Sequence, residues 1–94
     1  MTLRYTKRAL ADLDRILSYT ARHSPQGASN LVSRIESVIQ SLDAHPRSGR
    51  TTSRRNVRLR VAGDYPYLIF YRVLRDGDVS IVHIRHAARQ PFAR

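Results

Sequence analysis

The sequence predicts an α+β domain: an N-terminal short strand and an antiparallel helical hairpin packed on a mainly antiparallel sheet, in the order β-α-α-β-β-β. Three observations carry that expectation. Residues 6–44 repeat apolar side chains at helical spacing, with one interruption at His23-Ser24-Pro25. Tyr65 to Val73 is the longest nearly continuous apolar run outside the helical patterns, rich in β-branched and aromatic residues, which suits a strand in the middle of a sheet. Val57-Arg58-Leu59-Arg60-Val61 alternates strictly before it, and Asp76-Gly77 separates it from another strand-like run.

Met1 to Tyr5 alternates Leu3 and Tyr5 against Thr2 and Arg4 and reads as a short strand. Thr6 is the expected N-cap of a first helix, whose positions Ala9, Leu10, Leu13, Ile16, Leu17 and Ala21 extend it to about Arg22. Ser24 then caps a second helix with Pro25 in its first position. That helix has the cleaner stripe, Ala28, Leu31, Val32, Ile35, Val38, Ile39 and Leu42, which is a core face. The very short connection makes the two helices an antiparallel hairpin. His45-Pro46-Arg47-Ser48-Gly49-Arg50 ends the second helix, and Thr51 to Asn56 continues as a polar loop. Three strands follow: Val57–Val61, the central run to Val73, and Val79 to His86. Ala87 to Arg94 is a basic tail.

If Asp76-Gly77 forms a two-residue type I′ turn, the register follows. Leu74 opposes Val79, Arg72 opposes Ile81, Phe70 opposes His83 and Leu68 opposes Arg85, all on one face. Val73, Tyr71, Ile69 and Tyr67 take the other face with Ser80, Val82, Ile84 and His86, under the helices. Arg58 and Arg60 are expected on the open face, because Val57, Leu59 and Val61 want the core. Such an open face, with Leu68, Phe70 and Leu74 rimmed by arginine, would attract an amphipathic acidic peptide.

Ninety-four residues make a single domain, 1–94, able to hold one modest core. There is no cysteine, which excludes disulfides, thiolate metal sites and cysteine catalysis. The N-terminus has no apolar signal-like segment and no run approaches membrane-spanning length, so a soluble cytoplasmic protein without a membrane partner is expected. The net charge is +10, from 17 Lys+Arg against 7 Asp+Glu, and sixteen of those seventeen cations are arginine. Residues 1–44 carry only +2, and residues 45–94 carry +8. Arginine grips carboxylates and phosphates with a planar fork, so the expected partner is anionic.

The histidines do not form a metal site: His83 and His86 point to opposite faces of one strand, and His23 and His45 lie at helix ends. No cofactor is implied. A metal-free ribonuclease needs a base, an acid and cations for the developing charge. Arg58, Arg60, Arg72 and Arg85 would supply charge, with His83 or His86 moving protons. Arginine itself stays protonated, which weighs the same residues toward a partner-binding face. Direct DNA binding through strand and loop arginines is secondary, since no helix-turn-helix, zinc spacing or basic helix is present.

Several motifs together resemble the RelE/ParE superfamily of type II toxin–antitoxin toxins. They are Ala9-x-x-Asp12-Leu13-x-x-Ile16, Ser24-Pro25-x-x-Ala28, His45-Pro46-Arg47-Ser48-Gly49-Arg50, Val57-Arg58, Tyr67-Leu68-Ile69-Phe70-Tyr71-Arg72-Val73 and Val82-x-Ile84-x-His86-x-x-Arg89. The resemblance implies a toxin of a plasmid-stabilisation or stress-response module, neutralised by a cognate acidic antitoxin. RelE-like members cleave mRNA on the ribosome, and ParE-like members poison DNA gyrase. The nuclease branch carries arginine directly after the tyrosine that opens the central strand, where this chain has Leu68, and it often ends with a functional tyrosine, whereas none follows Tyr71 here. The ParE-like branch is therefore favoured, a gyrase-binding toxin rather than an enzyme. The alternative is a ribosome-dependent, metal-independent mRNA endoribonuclease using Arg58, Arg60, Arg85 and His86; a second alternative is an inactive partner-binding remnant of such a toxin.

On the favoured reading, Leu68, Phe70, Arg72, Leu74, Arg58, Arg60 and Arg85 are candidates for the antitoxin. Arg47, Arg50, Arg54, Arg55, Arg89 and Arg94 are candidates for the target. The family resemblance also predicts that the reading frame directly upstream encodes a small acidic protein. Sequencing the locus checks this, and a basic or unrelated large frame there would count against it.

Overall fold

The structure of the protein, a computed structural model, describes residues 3–88. Thr6 ends the first strand and starts the first helix. Its side chain accepts a hydrogen bond from the Ala9 N–H at 3.1 Å, satisfying one of the amides a helix start leaves unpaired. Ser24 repeats the device for the second helix, accepting from the Gly27 N–H at 2.9 Å with Pro25 behind it. The elements are β1 (Leu3–Tyr5), α1 (Lys7–His23), α2 (Pro25–Ala44), β2 (Arg50–Thr51), β3 (Arg58–Val61), β4 (Tyr67–Val73) and β5 (Val79–His86). The expected order holds, with one addition: Arg50 and Thr51, where the helix-ending segment meets the supposed polar loop, pair with β3 as β2. The five strands form one sheet in the order β1-β5-β4-β3-β2, antiparallel except for β1, which runs parallel to β5. Among the described residues no helix is long and apolar enough to cross a membrane.

The helical hairpin covers one face of this sheet. Leu31, Ile35, Ile39 and Leu42 of α2 meet Ile69 and Tyr71 of β4 and Val79, Ile81 and Ile84 of β5, all essentially sealed from solvent. Each such side chain contributes roughly 1.5–3 kcal/mol relative to exposure. Ala9 brings α1 close to the sheet, with Leu13, Ile16 and Leu17 half buried against the same core, whereas Leu10 is exposed.

The β4–β5 register matches expectation only at the end far from the turn. Leu68 pairs with Arg85, Ile69 with Ile84 and Phe70 with His83. Nearer the turn, Tyr71 pairs with Ile81, Arg72 with Ser80 and Val73 with Val79. The cause is the loop. Leu74 N–H donates to the Asp78 carbonyl at 2.7 Å, so three residues, Arg75-Asp76-Gly77, make the connection instead of two. Only Gly77 among them has a left-handed backbone, at φ 92°, where a type I′ turn needs two such residues. The extra loop residue offsets the pairing by one, and a bulge opposite Phe70 and Tyr71 restores it. Val79 and Ile81 therefore lie in the core, not on the open face, and Val82 joins Phe70 on the open side.

A second correction concerns β3. Val57 and Leu59 are buried as expected, but Leu59 pairs with Phe70 and both pack on the face away from the helices, with Leu68 and Val82. Arg58 and Arg60 pair with Tyr71 and Ile69 and so belong to the helix side of the sheet, the reverse of the expected placement. Val61, also expected in the core, is exposed. The alternation was legible, but both faces of this sheet bury apolar side chains, so alternation alone did not choose between them.

Those two arginines anchor the segment that follows α2. Arg58 Nη1 donates to the carbonyls of Gly49 (2.9 Å) and Arg47 (3.2 Å), and Arg60 Nη1 donates to Ser48 Oγ at 2.8 Å. From the core, the buried Tyr71 hydroxyl accepts the Gly49 N–H at 2.8 Å. Gly49 has no room for a side chain, since a Cβ there would run into the Tyr71 ring and hydroxyl.

Tyr71→Phe is expected to cost about 1–3 kcal/mol by stranding the buried Gly49 amide, and Gly49→Ala a similar amount through overpacking. Because the hydroxyl is part of the obstruction, the double variant should lose clearly less than the sum of the two. Urea unfolding of the four proteins measures this, and strict additivity would disprove the contact.

Candidate functional site

The face of the sheet away from the helices carries a small apolar floor and a ring of cations. Phe70 is the centre of the floor, with Val57, Leu59 and Val82 around it. The His83 ring stacks on Phe70, centroids 5.6 Å apart and tilted 21°, and the Arg85 guanidinium lies 5.6 Å from the Phe70 centroid. Above this floor is an open cleft of about 240 Å³. Arg72 of β4 and Arg85 of β5 line it from the sheet, Arg54 from the loop after β2, and Arg8 from the first turn of α1. No Asp or Glu among the described residues lines it.

His83 is held from behind. Asp12 of α1 is almost fully buried, 2% exposed, and its Oδ2 accepts from His83 Nδ1 at 2.7 Å and from the Ile84 N–H at 3.1 Å. Oδ1 accepts from Arg15 at 2.7 Å. Burial pushes the Asp12 carboxyl up, but the bonds from His83, the Ile84 amide and Arg15 more than offset it, and the carboxyl ends below the ordinary aspartate value of 3.8. With Nδ1 donating to Asp12, His83 presents Nε2 toward the cleft, 3.5 Å from Arg8 Nη2.

The structure brings together four of the residues that the sequence suggested for a peptide-binding face: Leu68, Phe70, Arg72 and Arg85 share it. Leu74 closes the hairpin turn through its backbone. Arg58 and Arg60 are on the other face, tied to the 47–49 segment. The residues named for RNA cleavage are divided as well. Arg85 lies on the face opposite Arg58 and Arg60, while His86 packs edge-on against Tyr67, 5.2 Å between centroids. Of the loop cations, Arg47, Arg54 and Arg55 surround a second depression next to the cleft, and Arg50 is exposed on β2. Thr52 shapes that loop, accepting from Arg54 N–H at 3.1 Å and donating to the Val57 carbonyl at 3.0 Å, and Asn56 at φ 61° turns the chain into β3. Arg89 and Arg94 lie outside the described residues.

Two contributors escaped the sequence reading, Arg8 and Asp12. Asp12 stood within a family motif, and its polar position among Ala9, Leu13 and Ile16 on the sheet-facing side of α1 was the available signal.

Comparisons with known proteins agree with this architecture. The family model described as ParE toxin of type II toxin–antitoxin system, parDE, matches residues 3–91. The protein Y4kP of Sinorhizobium fredii is 39% identical over 88 residues, covering 94% of this chain and 90% of that protein. Toxin RelE2 of Caulobacter vibrioides is 42% identical over 85 residues, covering 90% of this chain and 93% of that toxin. Among solved structures, the chromosomal ParDE system of P. aeruginosa superposes with a TM-score of 0.77 at 27% identity, over 92% of this chain and 95% of that one. The intact E. coli RelBE toxin–antitoxin complex gives 0.67 at 18% identity, over 94% and 98%, a likeness of fold.

Because the Asp12 carboxyl is depressed in the folded state, its stabilisation is fully present above the unfolded value near 3.8 and is lost as pH falls through the lower folded value. Asp12→Asn is expected to cost about 1.5–3 kcal/mol at neutral pH. The gap between variant and parent should narrow below about pH 4. Urea midpoints across about pH 2–8, either side of the carboxylate range, test this; a gap that is constant with pH would exclude the ionised carboxylate as its source.

Proposed function

This chain belongs to the ParE toxin family of type II toxin–antitoxin systems, and from that membership we propose that it arrests growth by binding DNA gyrase. It is the toxin component of such a module. In this proposal its activity is occlusion of a target and not chemistry, it acts in the cytoplasm, and a cognate acidic antitoxin silences it. The solved relatives of similar fold are described as ParDE and RelBE systems, which supports an antitoxin partner. An acidic, partly disordered segment that folds on the toxin would neutralise much of the +10 charge.

The observation that carries the gyrase reading is Leu68. At the position where the nuclease branch is expected to carry arginine, this chain has a leucine that packs with the Val57–Leu59–Phe70 cluster. The residues otherwise available for RNA cleavage support the same reading, since Arg58 and Arg60 are engaged with the 47–49 backbone and Ser48. The exposed loop cations Arg47, Arg50, Arg54 and Arg55 then stand as the contacts offered to the target, a cluster of one sign suited to electrostatic steering.

A second reading, ribosome-dependent mRNA cleavage, is favoured by one specific observation. His83 is aimed by a buried carboxylate into a cleft lined with arginine, an arrangement able to move a proton beside a phosphate. The 42% identity to a toxin named RelE2 points the same way.

Purified toxin is expected to block gyrase supercoiling in vitro, and replacing Arg47, Arg50 and Arg55 together with alanine should weaken inhibition about tenfold or more while the fold is kept. Unaffected supercoiling at saturating toxin, with codon-phased cuts in translated mRNA, would transfer the assignment to cleavage. Harmless accumulation of folded protein without antitoxin would instead identify a remnant.

A further inference from the structure

The cleft over Phe70 concentrates positive charge. Arg8, Arg54 and Arg72 converge on it from three separate parts of the fold, and among the described residues none of the three meets a carboxylate. Arg8 and Lys7 also occupy the first turn of α1, which contains no acidic residue; cations are unfavourable at that end of a helix dipole. Arg85 adds a fourth guanidinium and His83 turns Nε2 toward the cleft, while the nearby carboxylate of Asp12 directs its oxygens at His83, the Ile84 amide and Arg15. Binding an anion relieves the mutual repulsion of such an arrangement.

The size and density of charge discriminate among anions. A space of about 240 Å³ lined by four guanidiniums brings several donors to one anionic group. A carboxylate brings one negative charge and two acceptor oxygens, whereas a terminal phosphate brings about −1.5 to −2 and three. Planar guanidinium forks match phosphate oxygens in pairs. Val82 and the His83 ring, itself stacked on the buried Phe70, give the same cleft a surface for a planar group next to the phosphate. We propose that this cleft is a binding site for a phosphate monoester on a nucleoside, with Arg8, Arg54 and Arg72 holding the phosphate and His83 Nε2 reaching its edge. The ligand is either a free 5′-mononucleotide or the 5′-phosphorylated end of a nucleic acid. The site shares Arg54 with the loop proposed to engage gyrase, whereas Arg8, Arg72 and His83 lie outside that loop, and it is the same cleft that the mRNA-cleavage reading invokes.

Fluorescence anisotropy on the full chain tests it, using a short 3′-labelled oligonucleotide with a 5′-phosphate or a 5′-hydroxyl at about 150 mM salt. The phosphorylated form is expected to bind about tenfold tighter or better, a preference abolished by Arg72→Ala or Arg8→Ala and kept by Arg75→Ala, an exposed arginine in the β4–β5 turn outside the cleft. Displacement by adenosine 5′-monophosphate, but not by adenosine, would identify the free nucleotide as the ligand form; displacement by phosphorylated oligonucleotide alone would identify the strand end. Equal affinity for the two ends, or equal losses in Arg72→Ala and Arg75→Ala, would overturn the proposal in favour of diffuse attraction. Stronger displacement by hexaglutamate than by any phosphate ligand would overturn it in favour of an acidic peptide. All variants are at exposed positions, and thermal melts verify that each is folded.

Discussion

A buried carboxylate on the first helix organises one side of this molecule. β1 pairs with β5 only as far as Ile81, which leaves the rest of that strand edge without a neighbour. Thr6 takes over first, its N–H donating to the Ile81 carbonyl at 3.0 Å and its hydroxyl to the Val82 carbonyl at 3.1 Å. One turn and a half further along α1, Asp12 accepts the Ile84 amide. The helix thus serves as the missing strand, and an edge that would otherwise invite pairing is covered. A carboxylate in that position is tolerable only because its oxygens are met by an amide, a histidine and an arginine; left unpaired, a buried charge would be strongly destabilising.

The bulge in β5 belongs to the same arrangement. The three-residue turn displaces the pairing by one, and Val82 is the residue by which the ladder recovers. The recovery lets Val79, Ile81 and Ile84 all face the core although 81 and 84 differ by an odd number. It also puts Val82 and His83 together beside Phe70, so His83 can reach Asp12 behind it while its ring covers Phe70. A side chain redirected next to a cleft is a common use of a bulge. Here the local irregularity sets the ring's position, and the buried acid sets which nitrogen faces outward.

Much of the fold was legible because the signals were local. Thr6, Ser24 and Pro25 marked helix starts through bonds made within three residues, and the α2 stripe reported its own buried face. The apolar run at Tyr67–Val73 marked the central strand. What escaped depended on distant partners. Asp76-Gly77 announced a turn, but its length was decided by whether Leu74 or Arg75 closes it. Arg58 and Arg60 alternate with apolar residues as a solvent-facing pair would, yet their donors find carbonyls and a hydroxyl eleven or so residues earlier in the chain. β2 is two residues long and exposed, with no pattern to read. The candidate cleft was half visible, through Phe70, Arg72, His83 and Arg85 in two adjacent strands, and its other half came from Arg8 and Arg54, which only folding brings near.

The excess of arginine in the second half of the sequence resolves into groups with different physical roles. Arg58 and Arg60 satisfy backbone and hydroxyl acceptors and hold Ser48 and Gly49 against the sheet, work that draws on their multiple donors as much as on their charge. Arg54 and Arg72 meet no carboxylate among the described residues, and together with Arg8 they raise the electrostatic free energy of the folded state around one small volume. A folded protein accepts such a cost where a ligand later removes it, and anything that binds the folded state alone then stabilises it by mass action. The uneven charge of the chain therefore includes one population consumed in building the loop platform and another left uncompensated on the opposite face of the sheet, beside the exposed loop arginines Arg47, Arg50 and Arg55. The population over Phe70 is open to anions, and its position follows from the same helix–strand contact through which Asp12 fixes the edge of β5.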